Sequence, residues 1–176
     1  LVHNGNLTNA PQLRRKLEMH GAIFHTTNDT EIIAYMIIKE RLSAPSIEEA
    51  INRAMYNLEG AYSLVIMSPE KLIAVRDMTG FRPLCMGQMK DGQIIFASET
   101  CALDSLGAKF IRNLDAGEIV VVDKSGIRSI REHVNPVKHM CAFEYIYFAR
   151  PDSVMEGLSI HQARINAGHI LAKEHP

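Results

Sequence analysis

The stretch "GAYSLVIMSPEKLIAVRD" at residues 60–77 decides the class of fold. It contains two short apolar runs, and the Ser-Pro-Glu between them is typical of a turn. Two more runs of this kind lie at residues 83–89 and 93–99, and a last pair lies at residues 118–123 and 126–132. Apolar runs this short, joined by turn-forming residues, predict antiparallel strands.

Helices are predicted on both sides of these strands. The stretches "TNAPQLRRKLEMHG" (8–21) and "DTEIIAYMIIKERL" (29–42) have helix-type starts and stops, and a third helix begins at the capping residue Ser46. A short helix is predicted at "TCALDSLG" (100–107), and a final one starts at Ser159. The pattern predicts an α/β (α+β) fold with mostly antiparallel strands and with helices packed on the sheets.

Composition excludes several classes of function. The 19 basic and 20 acidic residues leave a net charge of -1, so we expect no nucleic-acid partner and no binding to an anionic membrane. No apolar run approaches the roughly 18 residues that a membrane span needs. The three cysteines form neither an even set nor a Cys-x-x-Cys pair, which argues against a secreted disulfide scaffold. We therefore expect a cytoplasmic enzyme, or part of one.

Three local signals have ordinary structural interpretations. Asn4-Gly5 in the opening "LVHNGNLTN" is typical of a turn, so the residues before it are predicted to be the end of a strand. Asp29 at a helix start is typical of an N-cap. The stretch "RDMTGFRPL" at residues 76–84 is typical of a hairpin loop in which Gly80 supplies a permissive backbone. Taken separately, none of them identifies a function.

Taken in order, the motifs resemble those of a known family. "VHNGNL", "NDTEII", "GAYSLVIM" and "RDMTGFRPL" are shared widely among glutaminase domains, including those of glucosamine-6-phosphate synthase, asparagine synthetase and glutamate synthase. "SETCALD" and "EYIYFARPDS" narrow the resemblance to the amidophosphoribosyltransferases, which catalyse the first step of purine nucleotide synthesis. Departures from the family pattern are small and fall at Asn28 and Met78.

The resemblance implies a fold and a division of the chain. The fold would be the four-layer αββα sandwich of the N-terminal-nucleophile hydrolases, truncated at the N-terminus. Residues 1–132 would form the glutaminase domain, residues 133–158 a connector, and residues 159–176 the start of the phosphoribosyltransferase domain. Phosphoribosylpyrophosphate and Mg²⁺ would bind in the missing part of that domain, and the enzyme would be a homo-oligomer.

The resemblance also assigns roles to three residues. Asn4 would offer its side-chain amide, and Gly5 its backbone N–H, as the oxyanion hole for attack on glutamine. Asp29 would bind the α-ammonium group of glutamine. The family's nucleophilic cysteine, and its arginine for the glutamine carboxylate, are expected before Leu1. We therefore expect this stretch by itself to release no ammonia from glutamine.

The cysteines and histidines of the chain offer further candidates. Cys85 is predicted in a strand, and Cys101 at a helix start, so neither replaces an N-terminal nucleophile. Cys141 has two interpretations: a small buried hydrophobe beside an "AFEYIYF" strand, or the first ligand of the [4Fe–4S] cluster that some family members carry. The other thiolates would then come from beyond Pro176.

The histidines near the end of the chain have a simpler interpretation. His161 and His169 are eight residues apart, which lacks the i, i+4 spacing of a helical zinc site, and His175 is close to the last residue. They are predicted to be polar surface residues.

Two other functions stay open at this point. One is a non-catalytic module that binds an amino acid, against which the complete Asn4-Gly5 pair argues, because binding alone needs no oxyanion hole. The other is the glutaminase domain of a different amidotransferase, of the glucosamine-6-phosphate synthase type, against which "YFARPDS" argues.

Overall fold

The computed structural model describes residues 1–176 and contains five α-helices, one π-helical turn and ten strands. The helices are α1 (Ala10–Glu18), α2 (Asp29–Arg41), α3 (Ile47–Met55), α4 (Thr100–Leu106) and α5 (Ile160–Glu174), and the π-helical turn is Glu144–Phe148. The strands are β1 (Val2–Leu7), β2 (Gly60–Met67), β3 (Leu72–Arg76), β4 (Cys85–Gln88), β5 (Ile94–Ala97), β6 (Lys109–Asn113), β7 (Ile119–Asp123), β8 (Gly126–Ile130), β9 (Val154–Met155) and β10 (Leu158–Ser159).

The strands form two main sheets, and every pairing in them is antiparallel. The first sheet has the order β1-β2-β3-β7-β8, and the second has the order β5-β4-β6. A small ribbon pairs β9 with β10. No helix combines the length and the apolarity that crossing a bilayer requires.

Alternation along the strands explains how the layers stack. In β3, Ile73 and Val75 pack into the core shared with α1, α2 and α3, while Ala74 between them joins a second cluster with Met86 of β4. On the outer face of the second sheet, Cys85 packs against Leu103 of α4. The order is therefore helices, sheet, sheet, helix. This confirms the predicted four-layer fold.

The Asn4-Gly5 step does not form a turn, so that prediction was wrong. Strand β1 runs straight through it, with Asn4 opposite Ser63 and Gly5 opposite Tyr62 of β2. Gly5 adopts a φ of 149°, which a residue without a Cβ tolerates. The partner strand lies more than fifty positions further along the chain. Pairing at that distance overrides the local preference, which a short window cannot reveal.

The "RDMTGFRPL" stretch is not a hairpin loop either. It connects β3 of the first sheet to β4 of the second, so the chain changes sheets within it. The buried carboxylate of Asp77 organises this crossing, because it accepts the backbone N–H groups of Thr79 and Phe81. The buried guanidinium of Arg76 donates to the carbonyls of Gly80 and Arg82 within the same stretch.

The predicted "AFEYIYF" strand is also wrong, because residues 144–148 form the π-helical turn. Its aromatic and β-branched residues suit a strand, but no sheet edge pairs with this segment. Arg164 of α5 instead donates to the carbonyl groups of Tyr145 and Ala149. The sequence does not predict strand β6, because its apolar run is only two residues long, between Lys109 and Arg112, and three of its five residues are exposed.

The segment 133–158 packs against the loop that connects β3 to β4, and we call it the strap. His139 donates its backbone N–H to the Thr79 carbonyl. At the far end of the strap, Glu156 has a φ of 48° and forms ion pairs with Arg76 and Lys138, both at 2.7 Å. The domain boundaries stay predictions, although α5 does begin at the cap Ser159.

We expect Glu156→Gln to lower the free energy of unfolding by about 1.5–3 kcal/mol at pH 7, because it removes charged hydrogen bonds to a buried guanidinium. Burial alone would raise the pKa of Glu156, but Lys138 and Arg76 bring the pKa below its usual 4.5. A lowered pKa in the folded state stabilises the fold above about pH 4.5, and this contribution is lost as the pH falls further.

Chemical denaturation from pH 3 to pH 7 checks this. The difference between wild type and Glu156→Gln should shrink below pH 4.5, while Glu70→Gln, at an exposed turn, should match wild type throughout. A difference that stays constant with pH would contradict the prediction.

Candidate active site

The site begins with Asn4, which lies on the face of β1 that is turned toward the second sheet. Its side chain is exposed, and its Nδ2 donates to Oγ of Ser98 at 3.2 Å. Ser98 follows directly after β5, so the contact joins the two sheets. One of the two amide hydrogens of Asn4 is used in this bond. The second one remains for a ligand.

Gly5 directs its backbone N–H away from β2. Its partner across the ladder is Tyr62, whose carbonyl accepts the Asp77 N–H at 2.8 Å and whose N–H points to Asp77 Oδ2 at 3.3 Å. Both polar groups of Tyr62 therefore face β3. In an antiparallel pair, the residue opposite such a position also turns its N–H outward. A Cβ at Gly5 would collide with the Ala61 carbonyl, so only glycine fits here.

Asp29 lies at the same outer edge of β1. Its Oδ2 accepts the backbone N–H of Leu7 at 2.8 Å, and its Oδ1 is 3.4 Å from Nδ1 of His3. The N-cap of α2 is Asn28, whose Oδ1 accepts the N–H of Thr30 at 2.9 Å. Asp29 is therefore not the cap, and that interpretation was wrong. Its carboxylate instead ties α2 to the strand that carries Asn4 and Gly5.

Two adjoining cavities open beside Asn4, of about 280 Å³ and 260 Å³. Residues that line one or both include Val2, Asn4, Ser63, Arg82, Phe96, Ser98, Glu99, Glu144 and Phe148. Their walls come from both sheets and from the strap.

Arg82 supplies the cation of the smaller cavity. Its Nη1 donates to Oε1 of Glu144 at 2.6 Å, and its guanidinium lies 5.1 Å from the centre of the Phe148 ring. Its carbonyl accepts the hydroxyl of Ser63, the residue opposite Asn4. The sequence alone does not mark Arg82, Glu144 or Ser98 as site residues. All three stand inside the quoted motifs, but only the fold shows that they meet.

The three cysteines are free and do not converge. Burial raises the pKa of Cys85 to about 11, so this thiol stays protonated near neutral pH and is a poor nucleophile. Cys101 is buried at the start of α4, as predicted. Cys141 is only half-buried, in the strap, and donates its backbone N–H to the Phe81 carbonyl. This differs from the predicted small buried hydrophobe.

No group of three or more histidine, cysteine or carboxylate side chains that could hold a metal ion is present in the structure. A [4Fe–4S] cluster needs four thiolates. Residues 1–176 therefore do not fit such a cluster by themselves, and Cys141 offers at most one of its ligands.

Comparison with known proteins shows the family to which the chain belongs. Residues 1–105 match the family model described as the glutamine amidotransferase domain. The chain therefore belongs to the glutamine amidotransferase family. Within it, the chain is 47% identical to the chloroplastic amidophosphoribosyltransferase of Vigna aconitifolia and 43% identical to the amidophosphoribosyltransferase of Methanocaldococcus jannaschii. These matches confirm the resemblance stated from the motifs.

Solved structures agree with the sequence matches. The glutamine phosphoribosylpyrophosphate amidotransferase from B. subtilis, complexed with ADP and GMP, superimposes with a TM-score of 0.91 at 41% identity, over 98% of this chain and 37% of that one. A glutamine aminotransferase class-II domain protein from Silicibacter pomeroyi, at 15% identity and a TM-score of 0.52, covers 73% of this chain and 63% of that one, and shares the fold.

The matches also show how much of the relatives this chain represents. All of this chain aligns with the two curated relatives, but it spans only 36% of the plant protein and 40% of the archaeal one. The aligned part of this chain includes the whole candidate site.

Proposed function

We propose that this chain carries the glutaminase site of an amidophosphoribosyltransferase, in which glutamine is hydrolysed to supply ammonia. One observation supports this above all. Asn4, with its exposed side-chain amide, and Gly5, with its outward N–H, are consecutive residues of β1, and the Asp29 carboxylate binds the N–H of Leu7 two residues further along the same strand edge. Two adjacent donors suit an oxyanion, and a nearby carboxylate suits an ammonium group.

The proposed chemistry follows from that layout. A cysteine thiolate attacks the side-chain amide carbon of glutamine, and the carbonyl oxygen becomes an oxyanion. Asn4 Nδ2 and the Gly5 N–H donate to that oxygen. The proton that the cysteine thiol lost passes to the amide nitrogen, so that collapse of the intermediate breaks the C–N bond, expels ammonia and leaves a thioester. Water then hydrolyses the thioester to glutamate and the free thiol. We propose that the nucleophile is a cysteine outside residues 1–176, because Cys85 and Cys101 are buried between the second sheet and α4, and Cys141 does not line either cavity beside Asn4.

The spacing along β1 supports glutamine as the substrate. Gly5 and Leu7 are two residues apart, which is about 7 Å along a strand. An extended glutamine spans roughly 5 Å from its ammonium nitrogen to its amide carbon, over four bonds of about 1.5 Å. With a hydrogen bond at each end, it bridges the oxyanion donors and Asp29. A simple amide would use only one end of this site.

The activity of the complete enzyme belongs to the same proposal. We infer that the ammonia is transferred to phosphoribosylpyrophosphate in a phosphoribosyltransferase domain that binds Mg²⁺, as the first step of purine synthesis. The names of the matched relatives support this reaction. Assembly as a homo-oligomer and a cytoplasmic location are part of the proposal too.

We expect Asn4→Ala in the complete enzyme to lower glutamine-dependent turnover by roughly 10²–10³, which is the effect of removing one oxyanion donor. Activity with added ammonia should persist, because that route bypasses the thioester. Steady-state assays with each nitrogen donor check this. The matched control is Asn6→Ala, on the same face of β1, which should keep both activities. Equal loss of both activities in Asn4→Ala would show that Asn4 supports folding instead.

Asp29→Asn should raise the KM for glutamine by at least tenfold, because it removes the charge that faces the substrate ammonium. Two opposite charges 4 Å apart attract by roughly 4 kcal/mol at an effective dielectric constant of 20. This exceeds the roughly 1.4 kcal/mol that corresponds to a tenfold change in KM. Asn28→Ala is the contrasting variant, since it deletes the cap of α2 and should cost about 1 kcal/mol of stability with an unchanged KM. Normal glutamine kinetics in Asp29→Asn would remove Asp29 from the site.

We also propose that Cys141 ligates a [4Fe–4S] cluster whose other thiolates lie outside residues 1–176. Its half-buried position in the strap, next to the aromatic turn, supports this. Iron and sulfide analysis of the anaerobically purified complete enzyme should show about four irons per subunit, and loss of iron in Cys141→Ser. An iron-free complete enzyme would leave Cys141 with a packing role.

A further inference from the structure

Ser98 makes the single side-chain contact that the structure shows for the Asn4 amide. Its Oγ accepts from Nδ2 of Asn4 at 3.2 Å. A side-chain amide can rotate by half a turn and exchange its donor nitrogen for its acceptor oxygen at little steric cost. An oxyanion donor with the opposite orientation would present an oxygen to the developing negative charge.

The segment that carries Ser98 is held firmly on both sides. Before it, β5 pairs with β4 through Ala97 opposite Cys85. After it, Oε2 of Glu99 accepts the Arg150 backbone N–H at 2.8 Å and the Ser153 hydroxyl at 2.7 Å. Because the residues on both sides of Ser98 are hydrogen-bonded, its hydroxyl has a fixed position at the end of β5.

The anchor also links the site to the strap. Glu99 is the next residue after Ser98, and both line the cavity beside Asn4. Thr100, one residue further, accepts the backbone N–H of Val154 at 2.8 Å. The side chains of three consecutive residues thus contact Asn4 at one end and three strap residues, Arg150, Ser153 and Val154, at the other.

Resting on the proposed glutaminase function, we propose that Ser98 is a positioning residue for the reaction. It accepts one amide hydrogen of Asn4 and so directs the other hydrogen toward the oxyanion. The contacts of Glu99 with the strap set the position of Ser98, and through it the orientation of the Asn4 amide.

The test compares Ser98→Ala, Ser98→Thr and the control Ser105→Ala in the complete enzyme. Ser105 lies in α4 and its hydroxyl bonds only the Cys101 carbonyl, away from the site. We expect Ser98→Ala to lower kcat with glutamine roughly tenfold to a hundredfold, with a KM within twofold and unchanged ammonia-dependent activity. Ser98→Thr keeps the hydroxyl and should restore most of kcat. Ser105→Ala should match wild type.

A double variant separates this proposal from the one on which it rests. If Ser98 acts through Asn4, then Asn4→Ala combined with Ser98→Ala should be no slower than Asn4→Ala alone. Additive losses would overturn the positioning role, as would a normal kcat in Ser98→Ala. Loss of ammonia-dependent activity in Ser98→Ala would show a structural role and also overturn it. Unchanged glutamine turnover in Asn4→Ala would instead overturn the proposed function.

Discussion

The buried guanidinium of Arg76 is the constraint on which the rest of the structure depends. Its side chain has no exposed surface, and it donates to the carbonyls of Gly80, Arg82 and Leu114 and to the Glu156 carboxylate. A buried cation is costly unless its donors are satisfied. The stretch that connects the two sheets therefore turns its carbonyl groups toward Arg76, and the ion pair with Glu156 holds the strap against it. This brings the second sheet, with Ser98, against β1.

The same region sets the orientation of the backbone N–H of Gly5 in β1. Asp77, next to Arg76, binds both backbone groups of Tyr62 and turns them toward β3. The opposite residue, Gly5, then presents its N–H at the outer edge, where Asp29 already binds Leu7. The contacts that stabilise the crossing thus also orient a donor that the proposed reaction needs. Variants in the crossing should therefore be tested for both stability and glutamine-dependent activity.

The sequence predicted those features that depend on neighbouring residues. Short apolar runs between turn residues gave most strands, and the start of α2 at Asp29 was predicted correctly. The predictions that were wrong depend on distant partners. Asn4-Gly5 is typical of a turn when only its neighbours are considered, but pairing with β2 makes it part of a strand. Residues 144–148 have the composition of a strand, but no sheet edge lies beside them. The motifs predicted Asn4, Gly5 and Asp29 as site residues; Asn4 and Gly5 lie in β1, and Asp29, the first residue of α2, binds the edge of the same strand through Leu7. Ser98 could not be found this way, because its role exists only in the contact between sheets.

The central claim is that the outer edge of β1 binds glutamine between an oxyanion hole and a carboxylate. A crystal structure of the complete enzyme with glutamate, the product of hydrolysis, tests it most directly. The account predicts a side-chain carboxylate oxygen within about 3.2 Å of both Asn4 Nδ2 and the Gly5 nitrogen, with the ammonium group on Asp29. Glutamate bound elsewhere, or a Gly5 N–H bonded to a protein carbonyl, would contradict it.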